Sequence, residues 1–177
     1  LRGESCIDLE SSEESRKSLM CGRAFGKPLK KLEDIRPALT HFVQNAVARL
    51  WKYKQKTSAI TVYLYTNRFR KNIAQRSVSV SAEIELTDDL MKLTTLAQRV
   101  LEQAFKSGFE YHKVGVLLHD LVSVKNIPTS LFEMGSDSQN SPELMKVVKN
   151  INTKFGRYTV TSASSCGGSD WKARSKF

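Results

Sequence analysis

The sequence predicts an α+β fold: a two-layer βαββαβ domain whose four-stranded, largely antiparallel sheet carries two helices on one face, followed by a C-terminal helix/strand tail. Three observations carry this reading. Residues 59–86 hold two stretches of strict alternation: Ile60, Val62 and Leu64 against Thr61, Tyr63 and Tyr65, then Val78, Val80, Ala82, Ile84 and Leu86 against Ser77, Ser79, Ser81, Glu83 and Glu85. Each such strand buries one face only. On either side of this hairpin, apolar residues recur at helical spacing: Ile35, Leu39, Phe42, Val43, Ala46, Val47 and Leu50 before it, and Leu90, Leu93, Leu96, Ala97, Val100, Leu101, Ala104 and Phe105 after it. Finally, the hairpin tip, residues 67–76, carries the four cations Arg68, Arg70, Lys71 and Arg76, so the sheet should have a small, hydroxyl-rich outer face with a cationic rim.

The remaining elements follow in order. Residues 1–17 are acidic and rich in Ser and Glu, with Cys6, Ile7 and Leu9 as their apolar cluster, too little to fold alone; they read as a tether or leader. A first strand is expected over 18–27, although Arg23 shares its alternation face with Leu19, Cys21 and Phe25. In the first helix Asp34 is the expected cap and Pro37 lies in the first turn, where its missing N–H is harmless; Arg36, Thr40, Gln44 and Arg49 should point to solvent. Thr87 is expected to cap the second helix, with Asp88 and Asp89 in its first turn and Gly108 ending it. A last strand over 111–118 places Val114, Val116 and Leu118 together. The domain should therefore run over 18–122. A linker over 123–141 follows, its apolar knot made of Ile127, Leu131, Phe132 and Met134. The tail, 142–177, opens with Ser141 as cap and Pro142 at the first helical position, and Leu144, Val147, Val148, Ile151 and Phe155 form its stripe. Residues 157–163 read as a short strand, and Trp171 adds to an apolar face with no evident internal partner.

Length and a 40% hydrophobic content suit one sizeable core plus a tail. No charged, apolar and small-residue succession opens the chain, so no signal peptide is expected, and no apolar run approaches bilayer length. Cys6, Cys21 and Cys166 are odd in number and lack metal-ligand spacing, which favours a reducing compartment, the cytosol. The net charge of +10 is unevenly spread: residues 18–81 hold thirteen basic and two acidic groups, while 1–17 and 82–125 are each net negative. A one-sided excess around a polar sheet face points to a polyanion, nucleic acid above all.

Catalytic constellations are missing from the sequence. His41, His112 and His119 have no ligand spacing or partner pattern, so surface or packing roles are expected. Glu83 and Glu85 belong to a strand face, Asp88 and Asp89 to a helix start, and Gly167-Gly168 lacks the lysine and helix of a phosphate loop. The βαββαβ order also fits RNA-recognition domains, but SVSVSAEI has small hydroxyls where that module needs aromatics. A serine-lined face with rim arginines instead suits the sugar-phosphate backbone, so duplex shape and charge are the expected target.

LRGES at the start, GRAFG in the first strand, the order of elements, YHKVGVLL in the last strand, the SLF knot and PELMKVVKNINTKFGRYTV with Trp171 together resemble the C-terminal part of a Y-family translesion DNA polymerase. The likeness, to the catalytic subunit of bacterial polymerase V and its plasmid-borne relatives, covers nearly the whole chain. It implies that residues 1–17 end the thumb and form a tether, that 18–122 are the little finger domain, and that the rest is a clamp-binding linker and tail. It implies primer-template DNA gripped without sequence preference during lesion bypass in the SOS response, through Arg23, Phe25, Lys27, Arg68, Arg70, Lys71, Arg76, Ser77, Ser79 and Lys113. It also implies contact with the replication sliding clamp through Ile127, Pro128, Leu131 and Phe132, and with an accessory mutagenesis subunit and a recombinase filament. No membrane partner and no cofactor are expected for this chain, since the polymerase carboxylates and their magnesium belong to a palm upstream. The family strand usually reads Ser-Arg-Ser-Phe where this chain has Gly22-Arg23-Ala24-Phe25, and the clamp motif's glutamine is missing at Pro128. A free-standing nucleic-acid-binding module and a protein-interaction adaptor are the alternative functions.

Overall fold

A computed structural model describes residues 16–70, 74–126, 141–166 and 171. Lys71 and the expected clamp residues Ile127, Pro128, Leu131 and Phe132 lie outside the described residues. The order is β1 (Ser18–Leu29), α1 (Leu32–Tyr53), β2 (Gln55–Thr66), β3 (Ser77–Thr87), α2 (Leu90–Ala104), β4 (Tyr111–Ser123) and α3 (Ser141–Lys154). The strands form one sheet in the order β1-β4-β2-β3 with every neighbouring pair antiparallel. The α+β expectation is thereby borne out.

Alternation sets the register. Ile60, Val62 and Leu64 face Ala82, Val80 and Val78 across the hairpin, and Leu118, Val116 and Val114 on the other side, so three apolar rows run across the sheet toward the helices. In β2 and β4 these side chains are fully buried, while Val78, Val80, Ala82 and Ile84 on the edge strand are half-buried. The helices supply the opposite wall: Ile35, Leu39, Val43 and Leu50 of α1 and Leu93 and Leu101 of α2 close the core.

Local differences from the sequence reading have physical causes. α1 begins at Leu32, with Lys31 as a cap that makes no side-chain hydrogen bond; Leu32 packs on the core, so the helix starts two residues ahead of Asp34, which lies in its first turn. Pro37 is therefore inside the helix and removes one backbone bond. Thr40 and Gln44 are buried, not solvated, since α2 and the tail cover them: Gln98 Nε2 donates to Thr40 Oγ1 at 3.3 Å and Thr161 Oγ1 donates to Gln44 Oε1 at 3.0 Å. The cap of α2 is Asp89, whose carboxylate accepts from the Met91 and Lys92 amides, while Thr87 Oγ1 accepts from the Asp89 amide, one step earlier in the same turn. β1 runs on to Leu29 and β4 to Ser123, both longer than the alternation alone marks.

Residues 157–163 are not a strand. Gly156 and Tyr158 take positive φ, the chain turns, and the Asn152 side chain binds both the N–H and the C=O of Val160, replacing strand pairing with a local clamp. The tail also has the internal partner that its sequence hides: His41 stacks on Tyr158 at 4.9 Å, Trp171 lies against His41 and Phe42, and Tyr158 hydrogen-bonds Asn45. Trp171 is buried as part of the core. His41 is thus a packing residue, and His119, which shares a hydrogen bond with Thr61 at 3.0 Å, belongs to the sheet surface.

Candidate nucleic-acid interface

With both helices on one side, the other sheet face is built from four cross-strand rows. The register gives Ser77–Tyr65–Lys113–Ala24, then Ser79–Tyr63–Gly115–Gly22, then Ser81–Thr61–Leu117–Met20, with Glu83, Ala59, His119 and Ser18 closing the far end. The edge strand β3 is serine-lined as expected, its Ser77, Ser79 and Ser81 exposed. The middle of the face is not made of small hydroxyls. Tyr63 is only 3% exposed, because its ring lies down over Gly115 and Gly22, where no side chain blocks it. Tyr65 stacks on Tyr63 at 5.2 Å and the Lys113 ammonium stands 5.7 Å from the Tyr63 ring centre. The face is a paved aromatic centre beside a hydroxyl-lined edge.

Burial, with smaller contributions from Tyr65 and Cys21, pushes the Tyr63 phenol up to about 12. An unfolded tyrosine ionises near pH 10, so the neutral phenol is the form the fold favours. Its contribution to stability is complete below about pH 10 and is lost as the pH climbs toward the folded value. In an alkaline ultraviolet titration one tyrosine should ionise only near pH 12, and Tyr63→Phe should delete that step. A Tyr63→Phe curve identical to wild type would contradict this.

The cationic rim gathers at one end of the sheet, since the register brings the end of β1, the start of β4 and the β2–β3 turn together. The turn is shaped by Asn67, whose side chain accepts from the Phe69 amide and whose carbonyl accepts from the Arg70 amide. At its base Thr66 and Arg76 exchange backbone and hydroxyl hydrogen bonds. This presents Arg68, Phe69 and Arg70 outward, with Phe69 80% exposed. Glu110 lies among these cations, 2.8 Å from Lys30 and 4.0 Å from Arg70, and its hydrogen bond to Lys30 above all holds its carboxyl below the usual range.

The expected contact residues are divided by this geometry. Lys27, Arg68 and Arg70 are exposed at the rim and Ser77 and Ser79 on the sheet edge, while Lys113 is half-buried on the face. Arg23 is exposed although it shares a face with core residues, because β1 is an edge strand and a long side chain there reaches water. Phe25 is 3% exposed in the core, so its backbone alone is available to a ligand. Arg76 is turned inward, donating to the Ala104 carbonyl at the end of α2 and lying over Phe109, where it serves the helix terminus. Lys30, Tyr63 and Tyr65 were not singled out by sequence reasoning; the alternation of Tyr63 and Tyr65 did place them on this face, but nothing local shows that two glycines from other strands make room for a ring.

Comparison with known proteins bears on what this face is for. The description "impB/mucB/samB family C-terminal domain" matches residues 16–131, which covers the whole sheet, both helices and the rim. The chain belongs to the impB/mucB/samB family. The resemblance read from the sequence is borne out at that level. A second match, to a domain of unknown function (DUF4113), covers the tail, residues 142–177. Among curated impB/mucB/samB relatives, Protein UmuC of Salmonella typhimurium is 27% identical over 172 residues, 97% of this chain and 41% of its own length. Protein MucB of Salmonella typhimurium is 28% identical over 155 residues, 87% of this chain and 37% of its own length. The chain thus spans about two-fifths of the relatives it matches. A solved Y-family DNA polymerase chimera aligns at 12% identity with a TM-score of 0.45, covering 62% of this chain and 30% of that one.

Proposed function

We propose that this chain is the DNA-gripping little finger part of an error-prone translesion polymerase, holding primer-template DNA by its phosphates during lesion bypass. The observation that carries the reading is the open sheet face with its one-ended rim of Lys27, Lys30, Arg68, Arg70 and Lys113, in a chain whose family match covers that face entirely. Exposed serine hydroxyls on β3 and the exposed backbone edge of β1 suit sugar-phosphate contacts, which position a duplex without reading its bases. The rim supplies the counterion-releasing cations. Nucleotide chemistry and its magnesium would belong to the portion of the relatives that this chain does not span.

The test is a salt series of duplex binding by the purified chain. With about four phosphates neutralised, log affinity should fall against log salt with a slope of about −3.6. Affinity should be alike for unrelated duplex sequences. A flat salt response, or strong preference for one sequence, would contradict the proposal.

A further inference from the structure

On the side of α1 away from the sheet, the tail and the last turns of α1 enclose a cleft of about 710 Å³. Arg49, Lys52, Lys149 and Arg157 line it, and no described lining residue is acidic. Gln44 also lines it, is 8% exposed, and its Nε2 has no hydrogen-bond partner among the described residues although its Oε1 is taken by Thr161. An amide donor buried without an acceptor costs free energy unless something brings one. Four cations and an orphaned donor around one cavity therefore ask for oxyanions.

We propose that this cleft is a site for an acidic peptide, and that its occupant is the chain's own residues 10–15, Glu-Ser-Ser-Glu-Glu-Ser. Charge complementarity favours this occupant: residues 1–15 carry five carboxylates and a single arginine. Continuity favours it as well. Arg16, the next residue along, is held at the cleft itself: its guanidinium lies 4.4 Å over the ring of Tyr53, a lining residue, and its carbonyl accepts from Gln55 Nε2 at 3.1 Å. Six residues reach at most about 20 Å from that anchor, so Glu10, Glu13 and Glu14 are all delivered to the cleft at high effective concentration. A polynucleotide fits less well, because the stacking faces are in use, Tyr53 under Arg16 and Tyr158 on His41. The docked segment would neutralise the cations behind the domain and leave the sheet rim as its exposed positive surface. Docking in the cleft does not require that the sheet face bind DNA.

The test uses the full chain, isotopically labelled, with Cys166→Ser and a spin label on Cys6; Cys21 is buried and does not compete. The amide signals of Asn152, Thr153 and Gly156 should lose intensity several-fold relative to Ser79 and Ser81 on the opposite face. Raising salt to about 1 M, where the screening length falls to about 3 Å, should restore them. Lys52→Glu with Arg157→Glu should restore them too, and so should Glu10→Gln with Glu13→Gln and Glu14→Gln, which touches no core residue and decides the matter if the first variant loosens the tail. Signals that stay intact in the labelled chain, or stay erased after the glutamine substitutions, overturn the proposal. So does erasure in a mixture of spin-labelled and separately isotope-labelled chains, which would assign the contact to a second copy.

Discussion

Gly115→Val should destabilise the domain by about 3 kcal/mol, lowering its melting temperature by roughly 10 °C. A Cβ at Gly115 would overlap the Tyr63 hydroxyl and Cζ and come within 2.7 Å of the Cys21 carbonyl oxygen, a backbone atom that cannot step aside. Gly22 is closed in the same way, its added Cβ meeting Gly115 Cα at 2.7 Å and the Val114 carbonyl at 2.8 Å. The ring would have to lift off the sheet, exposing the aromatic surface that paves the middle of the face. The coupling is diagnostic. Because Tyr63 and Gly115 are directly opposite on β2 and β4, Tyr63→Ala in the Gly115→Val background should cost much less than Tyr63→Ala alone. Calorimetry of the four proteins checks this, and additive effects would mean that the ring does not depend on the glycine.

Arg68→Glu with Arg70→Glu should weaken duplex binding roughly 60-fold at about 0.1 M salt and bring the salt slope from about −3.6 to about −1.8, since two phosphate contacts of about 0.9 each are lost. Both side chains are exposed at the hairpin tip, and the Arg70 pair with Glu110 at 4.0 Å is a surface pair of small worth. Stability should therefore change by no more than about 0.5 kcal/mol, which separates loss of binding from loss of fold. Arg76 offers the contrast. Its guanidinium is committed to the Ala104 carbonyl and Phe109, so Arg76→Gln should show its main effect in the melting temperature.

The parts of this fold that were legible in the sequence are those decided by local periodicity. In β2 and β3 alternation named the side chains that face the helices, while their cross-strand pairing, Ile60 with Ala82 and Leu64 with Val78, is set by the turn and appears only in the structure. What stayed hidden depends on chain segments distant in sequence. Thr40 and Gln44 look like solvent positions until α2 and the tail cover them, and the partners of Trp171 are a histidine and a phenylalanine 130 and 129 positions earlier. The same holds at the site. The serine edge, Arg68 and Arg70 could be read from the hairpin alone, whereas the flat ring of Tyr63 requires the row that brings Gly115 and Gly22 beneath it. Arg23 and Phe25 show the limit of alternation at an edge strand, where one side chain reaches water and the other, two residues on, is core.

The most direct test of the claim that the open sheet face holds DNA is a nuclear magnetic resonance titration of the isotopically labelled chain with a short duplex. The expected result is that the largest amide shifts fall on Arg68 and Arg70 at the tip, Ser77 and Ser79 on β3, Lys113 on β4 and Gly22 to Lys27 on β1, with α1 and α2 unmoved. Shifts concentrated on α1 and α3, leaving the sheet rows unchanged, would contradict it.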